Sequence, residues 1–124
     1  MITVIDDDES VRASLRDLVQ SLGFTVMTFE SAEDFLESGC LGVTACVVTD
    51  VRMPGMSGIE LQHRLRADGD QTPMIFVTSY PEETIRTRAL KAGAWGFLRK
   101  PFDDDSLIDC LNQALGDHRS GLRS

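Results

Sequence analysis

Cys46-Val47-Val48-Thr49-Asp50-Val51-Arg52-Met53-Pro54-Gly55 is a run of small and β-branched apolar residues that closes abruptly on an acid and turn formers. Lacking polar alternation, it reads as a strand covered on both faces, the pattern of a parallel sheet with helices on either side. Asp50 then stands at the strand's carboxyl end, the edge at which open α/β sheets bind their ligands.

Upstream of this stretch, Met1 to Ile5 is a short apolar run leading into Asp6-Asp7-Asp8-Glu9. Val11, Leu15, Leu18, Val19 and Leu22 follow at helical spacing, with Gly23 as the stop. The acids also suit the positive end of that helix, the plainest reading of the cluster. Thr25 to Phe29 is a second strand. Ser31 caps a short helix bearing Phe35 and Leu36, with Asp34 placed for a capping box. Gly39 to Thr44 reads as a loop.

Downstream, Pro54, Gly55, Ser57 and Gly58 form a turn-rich loop before a helix carrying Ile59, Leu61 and Leu65. Pro73 to Ser79 is another buried strand that ends in hydroxyl residues. A helix from about Glu82 sets Ile85, Ala89 and Ala92 on one face and stops at Gly93. Trp95 to Arg99 is the fifth strand and Lys100-Pro101 follows it. The last helix starts near Asp103 and turns Leu107, Ile108, Leu111, Ala114 and Leu115 inward.

The 124 residues, 42% of them hydrophobic, make one domain able to bury a core without disulfides. A formal charge of −8 argues against direct contact of this domain with nucleic acid or an anionic membrane. Cys40, Cys46 and Cys110 have no paired spacing, and His63 and His118 lie in different segments, so neither a zinc site nor a disulfide framework is indicated. With no apolar run of about 18 residues, the expectation is a cytoplasmic domain outside the membrane.

Five strands alternating with five helices require a doubly wound parallel sheet with right-handed crossovers. The expected fold class is α/β, a flavodoxin-like (βα)5 arrangement with strand order 2-1-3-4-5. That order brings Asp6, Asp7 and Asp50 to the crevice between the first and third strands. Thr78 and Lys100 reach the same edge. Taken singly, Asp50 reads as a loop acid, Thr78 as a strand end, Lys100 as a solvated lysine and Phe97 as a core aromatic; their convergence favours a site. Converging carboxylates repel unless a cation compensates them, and their hard oxygens suit Mg²⁺. A hydroxyl at Thr78 and a charge at Lys100 could hold a phosphoryl group while a carboxylate attacks it in line.

The set Asp6-Asp7, Asp50 in Asp50-Val51-Arg52-Met53-Pro54-Gly55-Met56-Ser57-Gly58, Thr78-Ser79 and Lys100-Pro101-Phe102 resembles the receiver domain of bacterial two-component response regulators, from about Ile2 to Leu115. The loop Met53-Pro54 with Ser57-Gly58, and Lys91-Ala92-Gly93-Ala94 before Phe97, resemble the FixJ-like subgroup, which often carries a helix-turn-helix output domain. The resemblance implies that Asp50 accepts a phosphoryl group from a histidine kinase. It implies Mg²⁺ on Asp7, Asp50 and the backbone carbonyl of Arg52, with Asp6 acting through metal-bound water. Lys100 would contact the phosphoryl group, Thr78 would swing toward it and Phe97 would turn inward, switching the face of the fourth helix, fifth strand and fifth helix, where a homodimer could form. A cis peptide before Pro101 is also implied. Arg52 and Tyr80, two positions after Asp50 and Thr78, border the path of the hydrolytic water and are expected to tune dephosphorylation.

On this reading residues 1–117 are the receiver domain, and 118–124 are a tail or the start of a linker to an output domain that controls transcription. A stand-alone receiver is the alternative. Self-phosphorylation and self-dephosphorylation do not make the chain a turnover enzyme. Two rivals come from other classes. A flavin-binding electron carrier is disfavoured by acids where a phosphate cradle should be. An aspartyl phosphatase needs a general acid where Arg52 stands.

Overall fold

The apolar runs become five strands, each followed by a helix. The computed structural model describes the backbone of residues 1–123 and the side chains of residues 1–116. In chain order the elements are β1 (Ile2–Ile5), α1 (Glu9–Ser21), β2 (Val26–Phe29), α2 (Ala32–Ser38), a 3-10 turn (Cys40–Val43), β3 (Cys46–Asp50), α3 (Gly58–Ala67), β4 (Met74–Thr78), α4 (Glu83–Lys91), β5 (Gly96–Arg99) and α5 (Asp104–Arg123). The strands are all parallel, in the order β2-β1-β3-β4-β5. This is the flavodoxin-like arrangement the alternation predicts.

Period-2 alternation divides the core between the two sheet faces. Val4, Cys46, Val48, Ile75 and Val77 pack with Leu15 and Val19 of α1 and Leu107, Leu111 and Ala114 of α5. Ile5, Val47, Met74 and Phe76 pack with Phe35 of α2, Ile59, Leu61 and Leu65 of α3 and Ala89 of α4. β3 and β4 are buried along their whole length, whereas edge strand β2 is not. Each fully covered Val, Leu, Ile or Phe side chain contributes about 1.5–3 kcal/mol, so this two-sided burial fixes the strand ends in place.

Local details differ from the sequence reading in instructive ways. Asp8 caps α1, its side chain accepting from the N–H groups of Ser10 and Val11 at 2.8 and 3.2 Å. Ser31 caps α2 through the Asp34 N–H at 3.1 Å, without the reciprocal half of a capping box. The complete box lies at Ser57 and Glu60, at the start of α3. The segment expected as a plain loop after Gly39 contains the 3-10 turn. Ala92, expected on the inner face of α4, is exposed because that helix ends at Lys91. Ile108 is only partly buried. α5 continues through Arg123. No described helix is long and apolar enough to cross a membrane.

Candidate functional site

Register brings the polar strand ends together. Ile5 pairs with Thr49 and Asp50 with Val77, so the residue after β1 and the last residue of β3 are neighbours on the carboxyl edge. The Lys100 N–H donates to the Thr78 carbonyl at 2.8 Å, extending the β4–β5 ladder by one residue. The peptide bond between Lys100 and Pro101 is cis.

Three adjacent acids after β1 take three different roles. Asp6 is fully buried; its Oδ1 accepts from the Asp8 N–H at 2.9 Å and its Oδ2 from Lys100 Nζ at 2.7 Å. Asp7 is exposed and has no hydrogen-bond or ion-pair partner among the described residues. Asp8 serves the helix. The main chain here is held as well, because Arg12 donates to the Asp6 carbonyl at 2.7 Å.

Asp50 is 8% exposed, and its two oxygens are used differently. Oδ1 accepts from the Arg52 N–H at 3.3 Å and Oδ2 from Lys100 Nζ at 3.2 Å. Burial, then the charge of Asp6, push the Asp50 carboxyl above its ordinary value, against the opposing pull of Lys100 and the Arg52 N–H. For Lys100 burial acts to lower the pKa, but the hydrogen bond and charge of Asp6, with those of Asp50, outweigh it and raise the pKa. The amine is therefore a firm cation between two carboxylates.

One carboxylate oxygen from each of Asp6, Asp7 and Asp50 lies within 4.8 Å of the others. A single lysine faces two of these acids, and Asp7 stands without a partner, so negative charge exceeds positive at this point. Three clustered hard oxygen donors with surplus charge fit a small divalent cation such as Mg²⁺.

Thr78 is buried on the neighbouring strand, and its hydroxyl accepts from the Tyr80 N–H at 3.2 Å. Tyr80 itself is 71% exposed. Phe97 is partly buried, its ring 6.2 Å from that of Phe76 and tilted by 46°. Asp6, Asp7, Asp50 and Lys100 are thus brought together, with Thr78 on the adjoining strand; Phe97 pairs with Phe76, two residues short of Thr78, and Tyr80 lies two residues past it. The Arg52 side chain pairs with Glu82, which the sequence reading did not single out.

Gly58 is a second residue whose role was missed. A Cβ there would run into the backbone carbonyl of Asp50 and crowd the Phe76 ring. The Gly58 N–H also donates to the Val51 carbonyl at 2.9 Å, closing the loop that follows Asp50. Its position in a turn-rich loop was visible; the close approach of the backbone required the folded chain.

The sequence matches the family model of the response regulator receiver domain over residues 2–112. It is 44% identical over 115 residues to the transcriptional regulatory protein FixJ of Azorhizobium caulinodans, covering 93% of this chain and 54% of that protein. With the transcriptional regulatory protein TdiR of Thauera aromatica it shares 42% identity over 118 residues, 95% of this chain and 52% of TdiR. The crystal structure of FixJ-N superposes with a TM-score of 0.80 at 36% identity, over 91% of this chain and 90% of that one. The chain therefore spans about half the length of these curated relatives.

Proposed function

The chain belongs to the response regulator receiver family, and on that premise we propose that Asp50 accepts a phosphoryl group from a histidine kinase and thereby switches a protein-interaction face. The observation that carries this reading is the Asp50 carboxylate held at the end of β3, touching Lys100 and within reach of Asp6 and Asp7. An Asp50 oxygen attacks phosphorus, the bond from phosphorus to the kinase imidazole breaks, and an acyl phosphate forms. Lys100 balances charge on the phosphoryl oxygens, and Asp6 keeps the amine aimed.

Asp7, Asp50 and the Arg52 carbonyl would hold Mg²⁺, with Asp6 acting through its water; when bound, the ion neutralises oxygens of the transferring group. Phosphorylation adds about −1.5 to −2 charges at neutral pH, which the Thr78 hydroxyl, now accepting from the Tyr80 N–H, can meet by turning its O–H toward Asp50. Phe97 then moves into the space that opens, and the face of α4, β5 and α5 changes shape for a second copy or another partner. Arg52 and Tyr80 border the water path and set the lifetime of the modified state. The chain acts on its own acceptor rather than turning over an outside substrate. In a longer protein of the length its relatives have, such a switch would govern an output domain controlling transcription, with residues 118–124 leading toward it.

Intact mass after incubation with acetyl phosphate tests the proposal. Wild type should gain one phosphoryl group with Mg²⁺ and none with excess chelator, and Asp50→Asn should gain none in either. Mg²⁺ should also raise the melting temperature of wild type more than that of Asp50→Asn. An adduct on Asp50→Asn would sink the assignment, as would an unmodified wild type after both acetyl phosphate and a histidine kinase active on another receiver.

A further inference from the structure

Arg52 follows β3 by two residues, and its partner Glu82 immediately precedes α4. Their ion pair joins residues 30 apart in sequence and ties the β3–α3 loop to the β4–α4 loop. Those are the connections that leave Asp50 and Thr78. Glu82 occupies the N-cap position of α4, where Ser, Thr, Asp or Asn would cap the helix, and it makes no such hydrogen bond; its carboxylate pairs with Arg52.

The far end of α4 is fastened differently. Buried Gln62 donates to the Ala89 carbonyl at 3.0 Å, and Arg66 Nε donates to the Ala92 carbonyl at 3.1 Å. One end of this helix is therefore held by hydrogen bonds from α3, and the other by a charge pair whose side chains are 53% and 49% exposed.

We propose that Glu82 is a positioning residue: by holding the Arg52 guanidinium across the two loops it fixes the start of α4 and slows the loss of a phosphoryl group from Asp50. The second effect rests on the phosphoacceptor reading; the first does not. On this proposal the guanidinium held between the loops hinders approach of water to the acceptor, and its release from Glu82 leaves that approach more open. The same pair thus couples the lifetime of the modification to the position of the helix that reports it.

The decisive set is wild type, Glu82→Gln, Arg52→Ala, the double variant Glu82→Gln with Arg52→Ala, and the exchanged pair Arg52→Glu with Glu82→Arg. Decay of the phosphorylated protein after removal of the donor should quicken about two- to fivefold in each single variant, the range that a partly exposed ion pair commands. The double variant should be no faster than the faster single, and the exchanged pair should move back toward wild type. Amide exchange of the unmodified proteins supplies the second readout. The Arg86 N–H, bonded to the Glu82 carbonyl at 2.9 Å, should exchange faster in both singles and recover in the exchanged pair.

Wild-type decay in Glu82→Gln, or effects that multiply in the double variant, would overturn the link to phosphoryl lifetime. Unchanged exchange at Arg86 in both singles would overturn the tie itself. If wild type took up no phosphoryl group at all, the phosphoacceptor reading would fall with the lifetime claim, and the exchange data would still decide whether the pair fixes α4.

Discussion

α3 and α4 each follow a strand that ends in a residue of the site, Asp50 and Thr78, but they are held by different physics. α3 opens on a complete capping box, with the Glu60 N–H donating to Ser57 Oγ at 3.1 Å and the Ser57 N–H to Glu60 Oε1 at 3.2 Å. It then buries Gly58, Ile59, Leu61, Gln62 and Leu65. α4 has no side-chain cap and buries only Ala89. Ile85 packs against the same core only partly buried, and the other anchors are polar: Gln62, Arg66 and the pair of Glu82 with Arg52. Little buried apolar surface and many exchangeable polar contacts mark an element of low local stability. The contrast teaches that the helix after Asp50 is fastened by its cap and its buried face, while the helix after Thr78 has less apolar burial to hold it in one position.

The largest effect expected from this contrast lies in burial. Leu61→Ala, at a fully covered α3 position, should cost about 2–5 kcal/mol in denaturant unfolding. Leu90→Ala, at a position in α4 that is 37% exposed, should stay within about 0.5 kcal/mol. Similar costs at the two sites would break the comparison. Next in size is Gln62→Leu, which keeps α3 apolar and removes the donor to the Ala89 carbonyl. A cost of about 0.5–1.5 kcal/mol is expected, because the Ala89 carbonyl keeps the Ala94 N–H as a donor at 3.0 Å, with faster amide exchange in the last turn of α4. A loss of stability without altered exchange there would show that Gln62 serves α3 alone.

How much of this could be read beforehand follows from the range of each interaction. The buried strands and the acid, hydroxyl and lysine at their ends were legible because the signal is local: a uniform apolar run, then a polar stop. Strand order followed from alternation and crossover handedness, and it was enough to bring Asp6, Asp7 and Asp50 together. The capping box at Ser57 and Glu60 is local too, with the same spacing as Ser31 and Asp34, of which only the serine half forms. Other features had no local signal. Gln62 looks like any polar helix residue until α4 lies over it. Arg52 and Glu82 are ordinary surface charges until two loops 30 residues apart are placed side by side. Asp8 was indistinguishable from Asp6 and Asp7 in composition, and only the turn into α1 assigns one to a cap and another to the core.

Smaller effects separate the two helix starts. Ser57→Ala removes the cap of α3 and should cost about 1 kcal/mol, measured as a shift in the unfolding midpoint. Because the cap also anchors the loop after Asp50, phosphoryl uptake should slow in the same variant. Unaltered uptake would confine the cap to stability.

The smallest change in stability is expected for Glu82→Ser, and it sharpens the comparison most. Serine gives α4 the side-chain cap it lacks and removes the partner of Arg52. The two contributions are similar in size and opposite in sign, so net stability should move by no more than about 0.5 kcal/mol. Their consequences nevertheless diverge. A capped α4 should hold its first turn as well as wild type does, so exchange of the Arg86 N–H stays slow. A released Arg52 no longer bridges the loops, so phosphoryl loss from Asp50 should quicken. Slow exchange with fast decay would separate the two duties proposed for Glu82, anchoring a helix and slowing phosphoryl loss. If exchange and decay quicken together, the missing cap is not why α4 is the looser helix, and the cause must be sought in its shallow burial instead.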